Sequence, residues 1–186
     1  MKSLFFIFLF ITTISFAQSK NEIFDFTDFE YGAAIESSVL ISNKKFRTVA
    51  KEETVSDYYP ISFYLHGTVY FTKNIGVEIK PGWFFGGDKF SAFEFALFLK
   101  KRFFEKRIIG KIGTNFHKNI EYAHGTFQST DKSVFMFAAV IGYKPAKSLT
   151  VTIGYYNPLS EYWYYGREES LVFQKQVIKL GFEVNF

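Results

Sequence analysis

Eight times along this chain, apolar and polar residues exchange places at every step. The clearest case is Gln176–Phe186, where Ile178, Leu180, Phe182, Val184 and Phe186 alternate with Lys179, Gly181, Glu183 and Asn185. A period of two belongs to a β-strand, whose successive side chains point to opposite faces. A strand with one greasy and one polar face lies between two unlike environments. With no hairpin partner after it, this last strand is expected to close a sheet by pairing with earlier ones.

Seven earlier segments carry the same signature: Asp28–Ile41, Tyr58–Phe71, Ile75–Phe85, Ala92–Lys100, Ile108–Phe116, Ser133–Tyr143 and Leu149–Tyr156. The connections have their own rhythm. Ser42–Asp57, His117–Lys132 and Asn157–Ser170 are long, after the first, fifth and seventh strands, whereas those after the second, fourth and sixth are short turns. This parity suits an up-and-down barrel whose hairpins end alternately at two unlike surfaces. Only the connection after the third strand, around Gly86-Gly87-Asp88-Lys89, breaks it by being short. The expectation is an all-β chain forming an eight-stranded antiparallel up-and-down transmembrane β-barrel.

Which face meets lipid follows from the charges. One register of the eight strands is free of charge. The other carries Glu30, Glu36, Glu78, Lys80, Glu94, Lys100, Lys111, Lys179 and Glu183, together with many glycines and alanines. A charge on a lipid face costs roughly 2–4 kcal/mol for Lys or Arg at the midplane, so a clean register belongs outside. Five glutamates against four lysines suit an internally paired, filled bore, since eight strands enclose little more than their own side chains. The 26 Phe and 12 Tyr fit the same picture. Tyr58, Tyr59, Trp83, Phe85, Tyr155 and Tyr156 fall at one set of strand ends, and Phe71, Phe103, Phe104, Tyr143 and Phe186 at the other, as two interfacial girdles would. A soluble ligand-binding barrel, apolar face inward, is the alternative.

Residues 1–17 read as a signal peptide: Lys2, then an apolar stretch from Leu4 to Phe16, then Ser15-Phe16-Ala17 as a cleavage site. Residues 18–186 would form the barrel domain. Without Lys2 the net charge falls from +4 to +3, too slight to imply nucleic acid. The chain has no cysteine, which excludes disulfides, cysteine-based zinc sites and a lipidated cysteine anchor.

With its signal peptide, eight alternating segments and terminal aromatic, the chain resembles the small outer-membrane β-barrels of the OmpX/OmpA-like type, including the outer-membrane β-barrel domains common in Bacteroidetes. The resemblance implies residence in the cell outer membrane, with outer-membrane lipid and lipopolysaccharide as surroundings. It also implies the barrel-assembly machinery as a partner, reading Phe182, Val184 and Phe186 as an assembly signal. A function is not implied, because such barrels serve many roles.

No catalytic, cofactor or metal site is expected. A structural or surface-interaction role through the longer loops is, with Tyr162, Trp163, Tyr164 and Tyr165 as contact residues, since Tyr and Trp make binding hot spots. The alternative is a lipid A-modifying acyl hydrolase or transferase. His117, Glu121, His124 and Ser129 could be drawn as its site. The outer-membrane lipid A deacylases use His-x-Ser, however, whereas this chain reads His117-Lys118-Asn119 and His124-Gly125-Thr126. His66, on the inward register, is expected to be a hydrogen-bonded interior group.

Overall fold

In a computed structural model of the chain, the described residues are 28–46, 52–86, 91–120, 123–124, 127–129, 133–160, 162–167 and 170–186. The signal-peptide segment 1–17 lies outside them. Eleven strands run in chain order: β1 (Asp28–Phe46), β2 (Glu52–Tyr70), β3 (Ile75–Phe85), β4 (Ser91–Phe103), β5 (Ile108–Ile120), β6 (Ala123–His124), β7 (Phe127–Ser129), β8 (Ser133–Ala146), β9 (Leu149–Pro158), β10 (Tyr162–Arg167) and β11 (Ser170–Asn185). All pairings are antiparallel. Eight of the strands make the wall in the order β1-β2-β3-β4-β5-β8-β9-β11, and β11 pairs back to β1 from Gly32↔Asn185 to Phe46↔Ser170. The sheet is therefore a closed barrel.

Closure satisfies every strand of the wall on both edges, and alternation then sorts the side chains. The described interior buries all eight expected charges from Glu36 to Glu183, and half-buries Glu30. Outside lie Leu65 at 67% exposure, Ile141 at 64% and Phe182 at 54%. The sequence of β8 is apolar on both faces and leaves its register open; the structure sets Val134, Met136, Ala138 and Val140 inside.

Three expectations need correction. Tyr156 is not a rim aromatic; it follows outward-facing Tyr155 and so turns into the bore, where it is 3% exposed. His117 is not in a loop, because β5 runs on to Ile120. The long connections are not loops throughout either. β1 and β2 continue their ladder past the wall as far as Lys45↔Glu52, β11 starts at Ser170, and β10 lies within Asn157–Ser170. There β10 pairs with β11, and β7 with β10, so the sheet continues beyond the rim.

Glycines mark two kinds of contact. Tyr64 lies across Gly82, where an added Cβ would meet the Tyr64 ring at 2.0 Å and the Phe63 carbonyl at 2.5 Å. Outside, Phe29 covers Gly67, where an added Cβ would find the ring at an ordinary 3.6 Å. Aromatic cover of this kind restores packing that a strand glycine lacks. At the β4–β5 turn the chain does the reverse. Phe104, Glu105 and Lys106 have φ of 46°, 54° and 69°, a left-handed run built without glycine at a cost of roughly 1–2 kcal/mol per residue.

Gly82→Ala is expected to lower the unfolding free energy of the detergent-refolded barrel by about 1–3 kcal/mol, because the ring and the neighbouring backbone cannot both yield. Gly67→Ala should be close to neutral. Urea titrations followed by tryptophan fluorescence compare the two, and equal effects would contradict the assignment of the tight contact to Gly82.

Candidate functional site

The polar register pays for its burial by pairing. Glu36, Glu78, Glu94 and Glu183 face Lys80, Lys100, Lys111 and Lys179, all buried. Each lysine stands between two carboxylates. Lys179 Nζ donates to Glu94 Oε2 at 2.6 Å and lies 4.0 Å from Glu36 Oε2. Lys80 joins Glu36 to Glu183, the latter at 3.1 Å. Lys111 joins Glu183 at 2.8 Å to Glu78 at 2.7 Å. Lys100 joins Glu78 at 2.9 Å to Glu30 at 3.2 Å. Arg102 then carries the chain out, through Glu30 at 2.8 Å to Asp28 at 2.7 Å. The result is one unbroken series of alternating charges from Glu94 to Asp28.

Its members come from β1, β3, β4, β5 and β11, so the pairs tie opposite walls as well as neighbours. Aromatic rings complete the coordination. The Tyr64 hydroxyl donates to Glu94 and accepts from Lys179 at 2.6 Å. The Tyr70 hydroxyl donates to Glu30 at 2.8 Å, and the Arg102 guanidinium carbon lies 3.4 Å from the centre of the Tyr70 ring. Lys80 and Lys179 lie 4.6 and 5.3 Å from the Tyr64 ring centre, and Lys179 is 4.9 Å from that of Tyr156. A desolvated cation beside an aromatic face is held more strongly than an exposed one. Beyond Glu94 the filling turns apolar. Leu40, Val134, Met136, Val172 and Val177 pack in one cluster with Phe84 and Tyr156.

His117 belongs to this interior. Its Nδ1 lies 2.9 Å from Glu94 Oε1 and its Nε2 3.0 Å from Asn119 Oδ1, with the Phe84 ring edge-on. Glu121 lies outside the described residues, as do the side chains of His124 and Ser129. His66 is buried as expected, but neither ring nitrogen has a hydrogen-bond partner among the described residues. It faces Gly32 across the β1–β2 ladder. Sequence reasoning missed Arg102, placing it in a basic turn, although its position two residues after inward Lys100 was the available signal. Among the described residues, no group of three His, Cys, Asp or Glu is placed to hold a metal.

The remaining expected residues lie elsewhere. Phe182, Val184 and Phe186 line the outer face of β11; the Phe186 amide donates to the Tyr31 carbonyl at 2.9 Å, with the two rings 6.1 Å apart. Tyr162, Trp163 and Tyr165 pair through β10 with Gln174, Phe173 and Val172, and Tyr164 is skipped at a bulge; the side chains of all four lie outside the described residues.

Lys111→Met is expected to destabilise the barrel by about 3–5 kcal/mol, because it leaves Glu78 and Glu183 short of a shared cation in a dry interior. Adding Glu183→Gln restores the balance, with Glu78 on Lys100 and Glu36 on Lys80. The double variant should therefore be more stable than the single. Urea unfolding of wild type, the double variant and both single variants, Lys111→Met and Glu183→Gln, gives the coupling; simple additivity would mean the pairs act independently.

No protein-family model matches this chain, and no curated protein does. Among solved structures, it is similar to Ail, the attachment invasion locus protein of Yersinia pestis, at 15% identity and a TM-score of 0.46 over 86% of this chain and 100% of that one. The outer membrane protein OprG from Pseudomonas aeruginosa is similar at 13% identity and a TM-score of 0.46, covering 85% and 94% of the two chains. The outer membrane protein AlkL, solved in lipid bilayers, is similar at 13% identity and 0.46 over 91% and 95%.

Proposed function

We propose that this protein is a non-catalytic outer-membrane β-barrel that presents a protruding sheet at the cell surface. The observation that carries the reading is the outward register of the wall. Where the wall strands are paired on both sides, from Phe29 to Ile41 of β1, Ile61 to Val69 of β2, along β3, β4, β5, β8 and β9, and from Ile178 to Val184 of β11, its only charges are Lys101 and Lys118, each two residues from a strand end and at opposite rims. An apolar belt closed around the whole circumference is far larger than the few hundred Å² a soluble monomer exposes. Wall strands such as β3, with 11 residues, and β9, with 10, match the length needed to cross a bilayer. Lipid is the solvent in which an outward Leu65 and an inward Glu78 are both at home.

The surface role is supported by the sheet beyond the rim. β2 pairs with β3 only from Ile61↔Phe85 onward. Over Thr54–Tyr58 it pairs with β1 alone among the described residues. Such a one-sided ladder offers backbone groups to an extended partner segment. Pro60, which has no N–H to give, sits where the ladder to β1 shifts register. A non-catalytic reading is supported by His117, whose two ring nitrogens face Glu94 and Asn119 inside the bore. In this reading the exposed outer face of Phe182, Val184 and Phe186 serves the barrel-assembly machinery.

Leu97→Arg, in the middle of the belt, should cost about 2–4 kcal/mol in lipid vesicles. Planar-bilayer recordings of the refolded protein should show no stable conductance, since the bore is filled; porin-sized open steps would refute this. Orientation has its own test, because the chain has no cysteine. A membrane-impermeant maleimide added to intact cells should label Ser56→Cys and spare Lys106→Cys. The reverse pattern would turn the barrel upside down.

A further inference from the structure

The end of the barrel opposite the protruding sheet carries an unbalanced charge. Among the described residues there, Lys73, Lys101, Lys106, Arg107 and Lys147 are exposed, against Glu105 and the half-exposed Asp28 among acidic side chains. Asp28 is already engaged by Arg102, and Glu30, deeper at this end, by Lys100, Arg102 and Lys144. The five cations are not scattered. The Arg102 amide donates to the Asn74 carbonyl at 2.8 Å, joining the β2–β3 turn to β4. The Lys144 amide donates to the Arg107 carbonyl at 2.8 Å, joining the β4–β5 turn to the end of β8. Three turns are thereby held as one arc of the rim.

Two rings sit within the arc. Phe103 faces outward with Lys101 Nζ 5.0 Å from its centre, and Phe104 is 80% exposed. Phe104 is also where the left-handed run begins, closed by the Arg107 amide donating to the Phe104 carbonyl at 3.0 Å. Turns of this hand are normally built from Asn and Gly, which adopt it with little strain. Here the strained positions hold Phe, Glu and Lys, so the turn gives up backbone comfort and keeps an aromatic and a cation at its tip.

We infer that this arc docks the headgroups of anionic phospholipids, with Phe103 and Phe104 set among the upper acyl chains and the five cations on the phosphates. Lys101 decides between lipid and a soluble acidic partner. It stands on the outward register, one alternation step past Leu99 and roughly 7 Å further along the strand. A cation there projects sideways from the end of the apolar belt, at the level where headgroups begin and out of reach of a partner approaching along the barrel axis. Aromatic rings at that level are the usual girdle, and juxtamembrane cations add attraction to anionic lipid. The inference rests on the outer-membrane reading above.

The test uses the full-length refolded protein in phosphatidylcholine vesicles carrying a trace of spin-labelled lipid, either phosphatidylglycerol or phosphatidylcholine. The motionally restricted fraction at the barrel surface gives the relative association. Wild type should favour labelled phosphatidylglycerol about fivefold at low salt. The preference should vanish in 1 M salt, where charges are screened within about 3 Å, and in the Lys73→Gln, Lys101→Gln, Lys106→Gln, Arg107→Gln quadruple variant. Lys106→Gly should raise the unfolding midpoint by easing the turn, while reducing the preference. Equal association of the two lipids with a correctly inserted wild-type barrel overturns the inference, as does a quadruple variant that keeps the preference. A protein that enters no vesicle at all, by its heat-modifiable gel shift, overturns the membrane reading instead.

Discussion

The series of alternating charges from Glu94 to Asp28 is what allows this barrel to turn its polar face inward. An isolated ammonium or carboxylate in that space would cost several kcal/mol. Shared between two neighbours each, the four lysines and four glutamates leave no net charge. Pairs such as Lys80–Glu183 and Lys111–Glu78 reach across the lumen and not merely to the adjacent strand, so the filling also braces the wall. Buried pairs of this kind are weak evidence for great stability, because an apolar filling would do as well. They do specify register. A one-residue slip of β11 would carry Lys179 and Glu183 to the outside and strand Glu94 and Lys111 within.

The two ends of the bore are finished differently. Toward the protruding sheet, Leu40, Val134, Met136 and Val172 replace charge with packing. Toward the short turns, Arg102 brings the charge series through largely buried Glu30 to half-exposed Asp28. The barrel is thus sealed by hydrocarbon at one end and by a guanidinium at the other. This polarity follows the outer surface, where strands run on past one rim and stop in tight, cationic turns at the other.

Most of the wall was legible because an apolar outer face and a polar lumen impose opposite demands on adjacent residues, and eight strands of ten or more residues repeat that demand many times over. The nine inward charges from Glu30 to Glu183 could be read this way; the register of β8, apolar on both faces in sequence, could not, and only the structure sets it. Legibility failed where one of the two environments ends. Past the rim, Ser42–Phe46 and Glu52–Asp57 are mostly polar on both registers, so alternation has nothing to show, and a paired ladder looked like a polar loop. Strand β10 was hidden because its run of aromatics, Tyr162 to Tyr165, does not alternate. His117 and Arg102 lie within two residues of where the pattern fades, and each was assigned to a turn or loop one alternation too early. That His66 has no hydrogen-bond partner among the described residues could not be read at all, since sequence gives the face of a side chain and not its partners.

Closure through β1 and β11 joins residues about as far apart in sequence as the described chain allows, as in Gly32↔Asn185. The interior pairs are no more local; Lys80–Glu183 spans 103 residues and Lys144–Glu30 spans 114. Contacts with such separations give their return only after nearly all the loop entropy has been spent, which makes folding slow and its transition state late. Until the seam forms, β1 and β11 each carry an open edge that another chain could capture. The same topology protects the finished barrel. No strand can leave without opening two ladders and uncovering a charge, so the native state should be lost as slowly as it is won.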